Sequence, residues 1–224
     1  MELVKMETAR HDEDEKTRIL YDASYKGNVL ILNSLTKQDP LILHKICSRT
    51  PFVETPLHIS PLLGHLEFTK ALLALKPTLA HELDSFQGTA LHLASAEGRI
   101  DIVKELLLAF DQACLVRDQE GRIPLHYAVI RRRLEVVIEL IRAKPETRGI
   151  LDKGKTIFHL CVTYNHLEIL KALVELNIGS NDLPHLKDQD EKTVLDLAIR
   201  LKQVETVRYL LSIPEHKRSC MLGE

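Results

Sequence analysis

Apolar residues in this chain recur in paired short segments. Ile102, Val103, Leu106 and Leu107 fall at helical spacing, and Val136, Val137, Leu140 and Ile141 repeat the arrangement. Ile169, Leu170, Leu173 and Val174 repeat it again. Each set draws one apolar stripe along one helix, and a shorter apolar segment precedes each stripe. A helix pair of this kind cannot bury its stripe alone, so the pattern predicts stability from stacking of successive pairs.

The shorter segments share a wording. Thr55-Pro56-Leu57-His58 is echoed by Thr89-Ala90-Leu91-His92-Leu93-Ala94, by Ile123-Pro124-Leu125-His126-Tyr127-Ala128 and by Thr156-Ile157-Phe158-His159-Leu160-Cys161. A last copy reads Thr193-Val194-Leu195-Asp196-Leu197-Ala198, and an eroded early one lies at Leu20-Tyr21-Asp22-Ala23. Leading positions 55, 89, 123, 156 and 193 give steps of 34, 34, 33 and 37 residues. This wording and period resemble the ankyrin repeat, with its T-P-L-H-x-A signature. The resemblance implies an all-α ankyrin-repeat solenoid of about six helix-turn-helix repeats. Its expected bounds are 18–213, with repeats near 18–50, 55–84, 89–118, 123–152, 156–188 and 193–213. A charged segment (1–17) precedes it and a tail (214–224) follows.

Each element of the wording has a physical role. Thr can cap the helix, and Pro just after it loses no bond because its amide would be unpaired there. Ala94, Ala128 and Ala198, with Ser60 and Cys161 at the same place, let helices approach closely. Gly64 and Gly98 stand where a left-handed residue ends the first helix. Arg132, Asn165 and Lys202 replace that glycine later, which predicts turns that are strained or differently shaped. The 37-residue step predicts a longer loop around 177–184.

Composition removes several classes of function. With 45% hydrophobic and 28% charged residues and a formal net charge of -2, nothing draws the chain to nucleic acid. Cys47, Cys114, Cys161 and Cys220 form no C-x-x-C pair, which fits a reducing, cytoplasmic setting. The stretch from Met1 to Lys16 lacks the apolar centre of a signal peptide, and no run of about 18 apolar residues occurs. His58, His92, His126 and His159 come one per repeat, too far apart to converge on a metal. They are expected to bond to neighbouring loops, and no cofactor is implied. Without a phosphate loop, nucleophile elbow or H-E-x-x-H motif, no enzyme class is indicated. The Arg131-Arg132-Arg133 run is able to bind phosphate or an acidic peptide, although three charges at a helix end are more often simply solvated.

Ankyrin arrays bind partners through loop fingertips and first helices, and that correspondence selects positions here. Three residues before each leading position stand Phe52, Phe86, Glu120, Lys153 and Asp190. Two fingertip phenylalanines in a chain with 4% aromatics, together with Leu62 and Leu63, predict an apolar partner-binding patch. Glu97, Glu120, Arg122, Arg131 and Tyr164 are expected to supply polar selectivity. The function implied is a non-catalytic protein-binding scaffold. The alternative is an adaptor or inhibitor that takes a peptide or small molecule in the groove.

Longer phrases carry a narrower resemblance. Leu20-Tyr21-Asp22-Ala23-Ser24-Tyr25-Lys26-Gly27-Asn28-Val29, Gly64-His65-Leu66-Glu67-Phe68 and Phe86-Gln87-Gly88-Thr89-Ala90-Leu91-His92 are similar to the plant ankyrin-transmembrane family. Members join such an array to a carboxy-terminal block of membrane helices and act in immune or stress signalling. No such block occurs in these 224 residues, so an excised array, or a likeness confined to the repeats, is expected. A membrane location then needs a longer form or a membrane-bound partner. Val204, Val207, Leu210 and Leu211 form a last apolar stripe, which predicts weak self-association through the C-terminal repeat.

Overall fold

The computed structural model of the protein describes residues 2–49, 54–176 and 187–213, the side chains of 2–11 and 47–49 apart. The helices in chain order are α1 (Glu2–Lys26), α2 (Val29–Gln38), α3 (Ile42–Arg49), α4 (Pro56–Leu63), α5 (Leu66–Leu75), α6 (Ala90–Glu97), α7 (Ile100–Ala109), α8 (Pro124–Ile130), α9 (Leu134–Ala143), α10 (Ile157–Thr163), α11 (Leu167–Leu176), α12 (Val194–Arg200) and α13 (Val204–Ser212). Single-turn 3-10 helices at Pro77–His81, Asp111–Leu115 and Pro145–Gly149 follow α5, α7 and α9. The fold is all-α. The loop expected around 177–184 lies outside the described residues, as do Phe52 and Cys220.

The chain divides into two compact units, Met1–Ala94 with Asp101–Ala113 and Ser95–Ile100 with Cys114–Glu224. In the first, α1 packs on α2 and α4, and α4 packs on α5. Its centre is aliphatic, with Leu20, Leu32, Leu57, Phe68 and Leu72 fully buried. The helix carrying the eroded early copy extends back through the charged stretch as far as Glu2. In the second unit α8 packs on α10 and α10 on α12, while α9 packs on α11. Ile123, Leu125, Leu140 and Ile157 are fully buried there. The short residues Ser60, Ala94, Ala128, Cys161 and Ala198 are all buried, as close helix approach requires.

The turns ending the first helices keep one shape with or without glycine. Gly64 and Gly98 have φ of 83° and 75°, and Arg132, Asn165 and Lys202 have φ of 58°, 56° and 57°. Of the two outcomes expected for the substituted turns, strain is the one found. A residue with a Cβ costs about 1 kcal/mol in that conformation. Gly98 has a second reason to lack a Cβ. One built there would stand 2.6 Å from Cδ of Arg133 and 3.0 Å from its Nε. That Nε donates to the Ala96 carbonyl at 3.0 Å. Gly98→Ala combines left-handed strain with displacement of this bond, so it lowers unfolding free energy by about 2 kcal/mol in urea denaturation. An unchanged midpoint would show that Arg133 repacks at no cost.

Candidate functional site

Each first helix opens on the same capping arrangement. The amide of the leading residue donates to Nδ1 of the histidine three residues on: Thr55 to His58 at 3.1 Å, Thr89 to His92 at 3.0 Å and Ile123 to His126 at 3.2 Å. At Thr156 the hydroxyl lies 2.7 Å from Nδ1 of His159. The other ring nitrogen of two histidines reaches the following loop, where His126 Nε2 donates to the Ile150 carbonyl at 3.0 Å and His159 Nε2 to that of Lys192 at 2.9 Å. An acceptor at Nδ1 and a donor at Nε2 define a neutral imidazole with one tautomer. Tyr21 fills the second half of this role in the early copy, its hydroxyl donating to the Glu54 carbonyl at 2.9 Å. In the last copy Asp196 takes the Thr193 amide at 3.0 Å and hydroxyl at 2.8 Å. Among the described residues no group of three metal-binding side chains stands close enough to share an ion.

The fingertips are built by an aspartate that the sequence reading did not single out. Asp84 Oδ1 accepts from the amides of Phe86 and Gly88, each at 2.8 Å. Asp118 accepts from Glu120 and Arg122, and Asp188 from Asp190 and Lys192, in the same pattern. All three precede the leading residue by five positions, a recurrence visible in the sequence once the repeat is aligned. The fourth loop is one residue shorter, which accounts for the 33-residue step. Asp152 and Lys155 pair across Lys153 and Gly154, both at positive φ, as a two-residue hairpin turn requires.

A second set of bonds links successive copies at the far end of the first helices. His65 Nε2 donates to the Tyr25 carbonyl at 2.9 Å and His166 Nε2 to that of Ile130 at 3.1 Å. Gln203 donates to Val162 at 2.7 Å, as Arg133 does to Ala96. These donors all lie ten residues past the leading position. Their chemical variety hides the register from a motif search.

The structure places the expected partner-binding residues as follows. In the first unit the Phe86 ring is 65% exposed on its fingertip, and Leu62 and Leu63 are exposed at the end of α4. In the second, Glu120 and Arg122 share one fingertip but are engaged within the protein. Glu120 meets Lys153 at 2.6 Å, and Arg122 Nε donates to Asp152 at 3.1 Å. Arg122 also lies over the Tyr127 ring, whose hydroxyl donates to Asp118 at 2.5 Å. Burial and that bond push the Tyr127 hydroxyl up to about 12. Arg131 and Tyr164 are exposed, and Glu97 is half-buried. A cavity of about 400 Å³, lined by residues including Asn33, Lys37, His44 and Lys76, lies among α2, α3 and the end of α5, off the first helices. Cys114 and Cys161 are both buried.

The family profile described as "Ankyrin repeats (3 copies)" matches the chain over residues 20–114, 57–149, 105–182 and 137–219, most of its length. The chain is an ankyrin-repeat protein. Its architecture is therefore the all-α ankyrin solenoid, and the arrangement above is built on the helix pairs of that repeat. Ankyrin repeats mediate protein–protein binding, which is the coarse function that membership gives. No curated protein matches the chain in a sequence comparison. Among the described residues no helix is long and apolar enough to cross a membrane.

The capping histidines give the ankyrin fold a defined response to acid. Burial holds His58, His126 and His159 below the ordinary histidine value. The unfolded chain therefore takes protons first as pH falls below about 6.5. Their contribution is complete above that value and is lost on acidification, by up to about 1.4 kcal/mol per pH unit for each histidine. Asp196, held below the usual carboxylate range by the Thr193 amide and hydroxyl, loses its contribution only at lower pH. Urea midpoints are expected to fall between pH 7 and pH 5, with a shallower fall in His126→Gln. A midpoint independent of pH over that interval would contradict the neutral-imidazole assignment.

Proposed function

We propose that this chain is a scaffold that captures a partner protein through the concave face of its ankyrin array. The observation that carries the reading is Phe86, a large ring presented outward by a loop whose backbone Asp84 fixes. An aromatic side chain held rigidly in solvent loses little entropy on binding, which makes it an anchor. Leu62 and Leu63 extend the apolar contact, with Phe52 at the preceding fingertip. Glu97, Glu120, Arg122, Arg131 and Tyr164 supply polar selectivity, and Glu120 and Arg122 also hold their fingertip in shape.

The likeness to plant ankyrin-transmembrane proteins supports a setting in defence or stress signalling, in the cytoplasm or at the inner face of the plasma membrane in a longer form. Val204 and Leu211, both exposed on α13, support weak self-association through the last repeat. Sedimentation at rising concentration tests this, and a strictly monomeric mass counts against it.

The main test compares wild type with Phe52→Glu/Phe86→Glu in a pull-down from native tissue, after circular dichroism shows both folded. The double variant is expected to lose a specific partner by at least about tenfold. Equal recovery by both proteins would move the interface off these fingertips.

A further inference from the structure

The first helices of the second unit end in a row of cations that the fold does not use. Arg131 and Arg132 follow α8, and Arg200 and Lys202 stand at the equivalent end of α12. All four are exposed, and none makes a side-chain hydrogen bond or ion pair among the described residues. Arg133, next in sequence, is different because it is engaged on the Ala96 carbonyl. Two acids at the starts of the adjoining second helices are engaged away from the row. Glu168 pairs with Lys171 at 3.5 Å and Glu205 with Arg208 at 2.8 Å.

Backbone conformation gives an independent sign. Arg132 and Lys202 occupy the left-handed position that Gly64 and Gly98 fill in other copies. Their side chains make no hydrogen bond or ion pair among the described residues, yet the strain of carrying them is retained. Strain kept without structural return is the mark of a position held for function. Between the two cationic turns stands the Tyr164 turn. Its ring is 41% exposed and stacks on His166 with centroids 6.2 Å apart, and Leu201 is exposed on the following turn.

We propose that this edge binds an extended, acidic segment of a partner protein. Packed helices stand about 8–10 Å apart and an extended chain rises about 3.3 Å per residue. Carboxylates six residues apart therefore meet the two cationic turns, and the residue midway between them meets the Tyr164 turn. Arg131 and Arg132 take one carboxylate, Arg200 and Lys202 another, and an apolar side chain between them lies on Tyr164 and Leu201. Cation pairs two repeats apart do not converge on a single phosphate. The inference rests on the scaffold reading but uses residues other than Phe86, Leu62 and Leu63.

Fluorescence anisotropy on the full chain tests it, with labelled peptides repeating Glu-Ser-Ser-Leu-Ser-Ser or Lys-Ser-Ser-Leu-Ser-Ser and a single-stranded oligonucleotide. The acidic peptide is expected to bind most tightly, with affinity falling as salt rises. Arg132→Gly/Lys202→Gly should raise the urea midpoint while weakening acidic-peptide binding about fivefold. Arg131→Glu/Arg200→Glu should weaken it by at least about tenfold, and Arg131→Lys/Arg200→Lys should restore most of it. Phe86→Glu should leave it unchanged. Equal binding of the two peptides, tighter binding of the oligonucleotide, or a glycine variant with wild-type affinity overturns the proposal. If Phe86→Glu also leaves tissue partners unchanged while the acidic peptide still discriminates, the apolar fingertip reading fails and this one stands.

Discussion

The structure depends on one unpaired amide at the mouth of each first helix. A helix start leaves several donors without partners, and burying them costs more than a net hydrogen bond returns. Here the leading amide is answered by Nδ1 of a histidine one turn on, and this acceptance turns the opposite nitrogen into a donor. In His126 and His159 that donor holds the next loop in place. One imidazole thus completes its own helix and positions its neighbour. Threonine can be lost from the leading position, as Ile123 shows, provided the histidine remains. Where aspartate replaces histidine at position 196, the capping half survives and the donating half does not.

The repeat was legible in the sequence because its signals coincide. Apolar stripes, the Thr-Pro-Leu-His wording and the period all point to the same helix pairs. The bonds between copies were less legible for a physical reason. His65, Arg133, His166 and Gln203 do one job with three chemistries, since a carbonyl accepts from imidazole, guanidinium or amide alike. Asp84, Asp118 and Asp188 recur plainly, but an aspartate in a polar loop reads as solvated until its two backbone bonds are seen. Glu120 and Arg122 show what fingertip charge also does inside the fold. Charge at a fingertip looks available to a partner, yet both side chains are engaged on the neighbouring loop.

Rigidity and recognition are divided among the loops accordingly. Asp84, Asp118 and Asp188 fix the backbone of their fingertips, so the residue at each of these tips is presented without needing support from its own side chain. Phe86 is such a residue, and its exposure follows from the bracket beneath it. The turns at the other end of the first helices are fixed instead by the left-handed residue and by the donor that follows it. This leaves the side chain at the left-handed position free to carry charge.

The repeated histidine, arginine and glutamine bonds between copies end on main-chain carbonyl oxygens: Tyr25, Ala96, Ile130, Ile150, Val162 and Lys192. Every amino acid offers that oxygen, so a neighbour's identity at these sites is immaterial to the join. A copy can drift in sequence, be duplicated or be exchanged, and the next one still finds its acceptor. Standardised joints of this kind let an array lengthen and diversify its surface by tandem duplication without redesigning its seams.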